Sequence, residues 1–178
     1  IGIDHVGISS DFDGGGGGVV VLLESRHFDV DEMLDTVEGR HVNSLIIVGD
    51  AFAKPMLNAL EENPGRWDIS SVKVIVSSGV MWSTEVKKGL LRHNPGMILT
   101  DSFGSSEAVG FGSSVMTAAG EVKTAKFTIG DRCKVFTEDH REVVPGSGEK
   151  GFIARSGPIP VGYFKDPEKS ARTFRVID

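Results

Sequence analysis

Four short apolar runs, at residues 19–23, 44–49, 72–76 and 97–100, punctuate the first part of the chain, each with the length and continuity of a buried strand. Between them the apolar positions change to helical spacing. Asp29 or Asp31 can cap a first helix carrying Val30, Met33, Leu34 and Val37 before Gly39. Asp50 can cap a second, with Ala51, Met56, Leu57 and Leu60 inward and Pro64-Gly65 at its end. Ser83 can cap a third, with Val86, Leu90 and Leu91 inward; Val86 stands where a capping-box glutamate would be. Such alternation predicts successive right-handed βαβ units and a mostly parallel sheet buried on both faces. Residues 6–8 read as a further, early strand. Ligands in such sheets bind beyond the carboxyl ends of the strands.

After Gly112 the texture changes to short strands between Gly, Pro and Asp clusters, at 123–128, 134–137 and 151–156. Residues 134–143 read as a hairpin, Pro145-Gly146-Ser147-Gly148 as the turn into the next strand, and Pro167 as the first turn of a last helix, 167–174. The expected class is therefore α/β, a mostly parallel sheet flanked by helices and followed by a small β-rich subdomain. The expected division is 1–18, a strand and glycine-rich connector of uncertain origin; 19–119, the α/β part; and 120–178, the β-rich part with the terminal helix. No repeat is visible.

Composition narrows the function. At 178 residues, 39% hydrophobic and 25% charged, the chain suits a soluble globular protein with a sizeable core. A net charge of -6 argues against a nucleic-acid or membrane surface, so an acidic substrate needs local basic residues. The single Cys133 cannot form an internal disulfide and is expected as a buried structural residue. With no apolar run near 18 residues and no signal-like start, a cytoplasmic setting is expected.

The richest stretch for chemistry is Thr100-Asp101-Ser102-Phe103-Gly104-Ser105-Ser106-Glu107. Gly104 permits close backbone approach, Phe103 offers a flat face, Ser105 and Ser106 offer hydroxyls, and Glu107 offers a hard oxygen suited to Mg²⁺ beside phosphate. Read by itself it is first of all an ordinary Ser/Gly surface turn with a helix cap. The glycine run 14–18 lacks a following lysine and reads as a connector. His27, His41, His93 and His140 read as surface residues, Trp67 and Trp82 as packing residues, and Glu61-Glu62 and Lys87-Lys88 as solvated helix faces.

A second stretch resolves the choice. Gly148-Glu149-Lys150-Gly151-Phe152-Ile153-Ala154-Arg155, then Gly162-Tyr163 and Pro167-Glu168, follows the turn above in the order found in the adenylate-forming enzymes. Ser77-Ser78-Gly79-Val80 is similar to that family's small-residue loop along the adenine and acyl group. From about residue 16 to 178 the chain resembles part of the large domain of a bacterial fatty-acyl-CoA synthetase. The resemblance implies ATP, Mg²⁺ and coenzyme A as cofactors, a fatty acid as substrate, and attack of a carboxylate on ATP followed by transfer to a thiol. It implies that Phe103 stacks on adenine, that Asp101 or Ser102 contacts its exocyclic amine, that Ser106 reaches the α-phosphate, and that Glu107 holds Mg²⁺. Ser78, Gly79 and Val80 would line adenine and the acyl group, and Gly104 and Ser105 would complete the nucleotide-binding turn.

Departures from the family pattern bear on activity. Phe103 stands where the family usually has tyrosine or tryptophan. The Pro-Lys-Gly phosphate loop expected before Gly16 is missing, and the ribose-gripping acid and catalytic lysine would follow Asp178, so no catalytic residue is assigned and the piece is expected to be inactive alone. Residues 1–14 instead resemble a strand of the membrane-dipeptidase family, in which an acidic residue at the strand end lines the metal site. His5, Asp11 and Asp13 could look like metal ligands, but that family's zinc-binding histidines and bridging glutamate lie in other parts of a longer barrel, and nothing else in the chain matches them. Two other readings are therefore a noncatalytic interaction or folding module and a metallopeptidase-derived piece. No nucleic acid or membrane span is expected, and an exposed sheet edge at 19–23 or 6–8 would favour self-association.

Overall fold

The computed structural model describes residues 7–9, 20–23, 25–108, 110–120 and 127–176. The glycine run, His5, Asp11 and Asp13 lie outside the described residues, as does most of the strand expected at 123–128. The chain forms two compact units: Ile1–Ser102 with Ser114–Lys126, and Phe103–Ser113 with Phe127–Asp178.

The first unit holds β1 (Gly7–Ser9), β2 (Val20–Leu22), β3 (Ser44–Ile47), β4 (Val74–Ser77), β5 (Ile98–Phe103) as far as Ser102 and β6 (Gly112–Met116) from Ser114, ordered β2-β1-β3-β4-β5-β6. The strands β3, β4 and β5 are parallel, with Leu45, Ile75 and Leu99 in register. The run at 20–22 does not pair with β3 as a simple βαβ order predicts. Instead β1 lies between them, antiparallel to both. An apolar run reports burial but not which neighbour it takes.

Three helices supply the core: α1 (Val30–Arg40), α2 (Asp50–Glu62) and α3 (Thr84–His93). Asp29 caps α1, its Oδ1 accepting from the Asp31 and Glu32 N–H groups. That helix runs past Gly39 and ends at His41, whose left-handed φ of 51° lets the Val42 N–H reach the Val37 carbonyl. Helix α2 is capped by Gly49, not Asp50, and ends at Asn63, ahead of Pro64-Gly65. Gly49 has φ 51°, and a Cβ there would lie 2.6 Å from the Met81 carbonyl oxygen. Ser83 makes no side-chain capping bond; its hydroxyl donates to Asp50 Oδ1 at 3.1 Å. Asp50 is thus a tie between helix starts, and although burial pushes its carboxyl up, the Ser83 and Lys54 donors hold it below its ordinary value.

The parallel strands β3, β4 and β5 follow one another in one direction across the sheet, and α2 and α3, which connect them, pack against each other, as crossovers of one hand require. There Leu45, Ile75 and Leu99 are fully buried with Met33, Leu34, Val37, Met56 and Leu90. The opposite face is not covered as expected: Leu22, Ile46 and Ile98 remain 57, 52 and 45% exposed. Edge strand β2 falls within the expected run at 19–23 and stops before Leu23. Trp67 and Trp82 are buried packing residues, and the Trp67 indole N–H donates to Asp35 at 2.6 Å. Among the described residues no helix is long and apolar enough to cross a membrane.

In the second unit β7 (Thr128–Ile129) pairs antiparallel with the start of β6, and β8 (Cys133–Phe136) with β9 (Phe152–Arg155). The hairpin expected at 134–143 is present in short form: the Thr137 N–H bonds to the Arg141 carbonyl, Glu142 bridges Phe136 and the Val143 N–H reaches the Val135 carbonyl at 2.8 Å, while the full partner of β8 is β9. Helix α4 (Pro167–Thr173) is capped by Asp166, which accepts from the Lys169 N–H at 2.9 Å. Cys133 is half-buried rather than buried, its Sγ 3.8 Å from the Gly110 carbonyl oxygen.

Candidate functional site

The first unit presents the carboxyl ends of β4 and β5 side by side, with Ser77 in register with Asp101. Ser77 is buried, and its Oγ accepts from the Gly49 N–H at 2.8 Å, fastening the end of β4 to the start of α2. Ser78, Gly79 and Val80 then emerge exposed, Gly79 with a left-handed φ of 88°. Asp101 is not free at the strand end: Lys87 forms an ion pair with it. Lys87 is only 3% exposed, contrary to its expected place on a solvated helix face, and its Nζ stands 5.2 Å from the centre of the Trp82 ring. The signal was present in the helical phase, because Lys87 falls three and four residues before the inward Leu90 and Leu91. Lys88 is exposed as expected, as are His27, His41, His93 and His140.

The strand β5 continues through Asp101 and Ser102 to Phe103, later than the expected stop at Thr100. Within the second unit residues 104–108 form no helix or strand. Ser105 and Ala108 exchange backbone bonds of 3.2 Å in both directions, and the Phe111 N–H reaches the Phe103 carbonyl at 2.9 Å. No helix begins at Ser-Ser-Glu-Ala, so the helix-cap reading of the turn is excluded. Gly104, Ser105 and Ser106 are exposed. Phe103 is 41% exposed, its ring centre 5.4 Å from that of Phe111 and 5.6 Å from that of Phe127, so a flat apolar face remains open to a planar ligand.

Glu107 is the anchored member of the loop. Its Oε1 accepts the Tyr163 hydroxyl at 2.6 Å, across 56 residues of sequence. That hydrogen bond, with smaller help from the Glu107 backbone and the Ser105 hydroxyl, holds the carboxyl below its ordinary range, while Glu107 pushes the Tyr163 phenol up. Beside it lies a cleft of about 480 Å³ whose lining includes Ser105, Glu107, Phe152, Arg155, Arg172 and Arg175. Sequence reasoning noted the Gly162-Tyr163 pair but had no spacing rule to join it to Glu107, and it missed the arginines. Among the described residues no group of three or more His, Cys, Asp or Glu gathers into a metal cage. A single ionised carboxylate suits Mg²⁺ that arrives on nucleotide phosphates and keeps its waters, which is how this ion is commonly held.

No family model matches the chain. Over 153 residues it is 42% identical to a medium/long-chain-fatty-acid–CoA/3-oxocholest-4-en-26-oate–CoA ligase of Mycobacterium marinum, an alignment covering 85% of this chain and 28% of that protein. It is 40% identical to a 3-oxocholest-4-en-26-oate–CoA ligase of Rhodococcus rhodochrous, covering 86% and 29%. The chain thus spans less than a third of the length of these relatives. Among solved structures, a long-chain-fatty-acid–CoA ligase of Archaeoglobus fulgidus superimposes with a TM-score of 0.63 at 21% identity, over 82% of this chain and 31% of that one. A luciferase-like enzyme of the mealworm Zophobas morio superimposes with a TM-score of 0.66 at 22% identity, over 83% and 35%. Both show the adenylate-forming fold. None of these relatives is a dipeptidase, and the resemblance of residues 1–14 to that family finds no support in them.

Proposed function

We propose that this chain, homologous to a segment of the fatty-acid–CoA ligases, is the adenylate-recognising part of such an enzyme. The observation that carries the reading is the 42% identity over 153 residues, a stretch long enough to span both the strand ends and the β-rich motifs. The whole reaction would join a carboxylic acid with a large apolar body to coenzyme A. A carboxylate oxygen attacks the α-phosphorus of ATP, the bond to the β-phosphate breaks, and pyrophosphate leaves. The thiol sulfur then attacks the acyl carbon, and AMP departs with the former carboxylate oxygen. A cytoplasmic setting and self-association along the edge of β2 belong to the same reading.

The residues divide the work. Phe103 stacks on adenine, Ser102 meets its exocyclic amine, and Lys87 fixes the neighbouring Asp101 carboxylate. Ser78, Gly79 and Val80 line the adenine and acyl group, with Gly104 and Ser105 shaping the turn and Ser106 donating to the α-phosphate. Glu107 would hold Mg²⁺, which neutralises phosphate charge during the displacement. Within the 178 residues there is no Pro-Lys-Gly phosphate loop. Hydrogen bonds to charged groups contribute about 1.5–3 kcal/mol each, so without such contacts nucleotide affinity should fall to roughly millimolar.

Titration of the ¹⁵N-labelled chain with AMP tests this. Amide shifts confined to 78–80 and 101–107 with a millimolar midpoint are expected, and no ATP–pyrophosphate exchange with any fatty acid. Shifts absent from these segments at saturating AMP would refute the nucleotide assignment. Exchange activity would refute the division of labour between this segment and the rest of a ligase.

A further inference from the structure

We propose that Tyr163 is a positioning residue for Glu107: its phenolic O–H pins one carboxylate oxygen, so that the carboxylate meets a nucleotide-borne divalent cation in a single orientation. The inference rests on the metal reading of Glu107 given above and assigns a role to the Gly162-Tyr163 pair that the nucleotide contacts leave unused.

Glu107 sits on an exposed turn, where a glutamate would ordinarily sample several rotamers, and ordering such a side chain is costly. The 2.6 Å bond from Tyr163 removes that freedom. It is effective because Tyr163 is itself fixed on three sides. Its backbone N–H donates to Ser170 Oγ at 2.8 Å, and the Ser170 hydroxyl donates in turn to the Asp166 carbonyl at 2.6 Å. The ring lies 4.0 Å from Lys169 Nζ and its centre 5.6 Å from that of Phe174. Gly162 makes the approach feasible, because a Cβ there would stand 2.8 Å from Ser170 Oγ. A neutral phenol is also the right donor: it gives a charge-assisted bond to one oxygen without supplying a cation that would compete with the metal. Mg²⁺ tolerates little deviation from octahedral geometry, so the orientation of its one protein carboxylate matters more than it would for Ca²⁺.

The test uses Mn²⁺ with ATP as a paramagnetic probe of the ¹⁵N-labelled chain, read as broadening of the Ser105–Ala108 amides, with metal-free AMP shifts as the control. Tyr163→Phe keeps the ring on Lys169 and Phe174 and should weaken the Mn²⁺-dependent broadening about tenfold, leaving the AMP shifts unchanged. Glu107→Gln should abolish the broadening, and adding Tyr163→Phe to it should do nothing more, the non-additive pattern of two groups acting as one. If Glu107→Gln abolishes the broadening while Tyr163→Phe leaves it intact, the positioning role is wrong and the metal reading stands. If Glu107→Gln leaves it intact, or the parent chain shows none, the metal reading fails and the positioning role with it. Should Tyr163→Phe collapse the turn, seen as lost amide dispersion, Ser170→Ala loosens the same anchor without touching the carboxylate, and unchanged broadening in that variant overturns the proposal.

Discussion

The two units are held by different forces. Every member of the buried hydrophobic cluster lies in the first unit, between Leu23 and Leu99 or at Met116. Among the described residues of the second unit, Ala108 is the one buried apolar side chain. There, discrete polar pairs do the ordering: Glu107 with Tyr163, Arg141 with Glu149 and Lys134 with Glu142. Most of the perturbed ionisations, at Glu107, Asp139, Arg141, Glu149 and Tyr163, fall in that unit too, against Asp50 and Asp68 in the first. A packed core fixes backbone positions, whereas an exposed carboxylate can be aimed only by its own hydrogen bonds. The first unit therefore supplies rigidity, and the second supplies side-chain chemistry that small substitutions can retune.

The largest effect expected from this contrast is that of Leu99→Ala. Leu99 is fully buried in the centre of the sheet, and such truncations cost about 2–5 kcal/mol. Phe152→Ala in the second unit, at a ring 36% exposed, should cost about 1 kcal/mol or less. Denaturation read separately by Trp67 and Trp82, both in the first unit, and by Tyr163, the one tyrosine, distinguishes them. Equal losses from the two substitutions would mean that the second unit has a core of its own.

The same contrast explains what could be read from sequence. The helices of the first unit and its strands up to β5 were legible within a few residues, because 3.6- and 2-residue periodicities report burial directly, whereas β6, a Gly-Ser-Ser run with little apolar pattern, was not expected. Their neighbours were not: β1 enters between β2 and β3, and the sheet face bearing Ile46 and Ile98 stays open, because apolar continuity says nothing of what covers it. In the candidate site the residue types at Phe103, Ser106 and Glu107 were legible as a motif. The pairings of Glu107 with Tyr163 and of Asp101 with Lys87 were not, since each joins segments whose meeting is decided by tertiary structure.

An intermediate effect is expected at Lys87, the charged residue that breaks the pattern of the first unit. Removing one partner of a buried ion pair costs about 3–5 kcal/mol, because the other charge is left uncompensated. Asp101 keeps some contact with water, its side chain being 17% exposed, so Lys87→Met should cost less, about 2–3 kcal/mol. Adding Asp101→Asn should recover much of that loss, since the orphaned charge is then gone. Urea midpoints of the two single variants and the double variant decide it. Strictly additive losses would show that the two side chains do not act as a pair.

The smallest effect is expected from Arg141→Ala. Its guanidinium contacts both carboxylate oxygens of Glu149, which raises the Arg141 pKa and lowers that of Glu149, yet both side chains face solvent. A carboxylate depressed in the folded state adds stability above its unfolded pKa and loses it as pH falls through the folded one, so any contribution should vanish in acid. It should vanish in salt as well, where at about 1 M the screening length shrinks to roughly 3 Å. The turn itself should survive, because it is closed by the Arg141 backbone: the Thr137 N–H and hydroxyl both donate to the Arg141 carbonyl, which alanine also provides. The expected result is a small shift of the Tyr163-monitored midpoint at low ionic strength and none at high. A loss as large as that of Lys87→Met, persisting in salt, would mean that exposed polar pairs stabilise the second unit as strongly as burial stabilises the first.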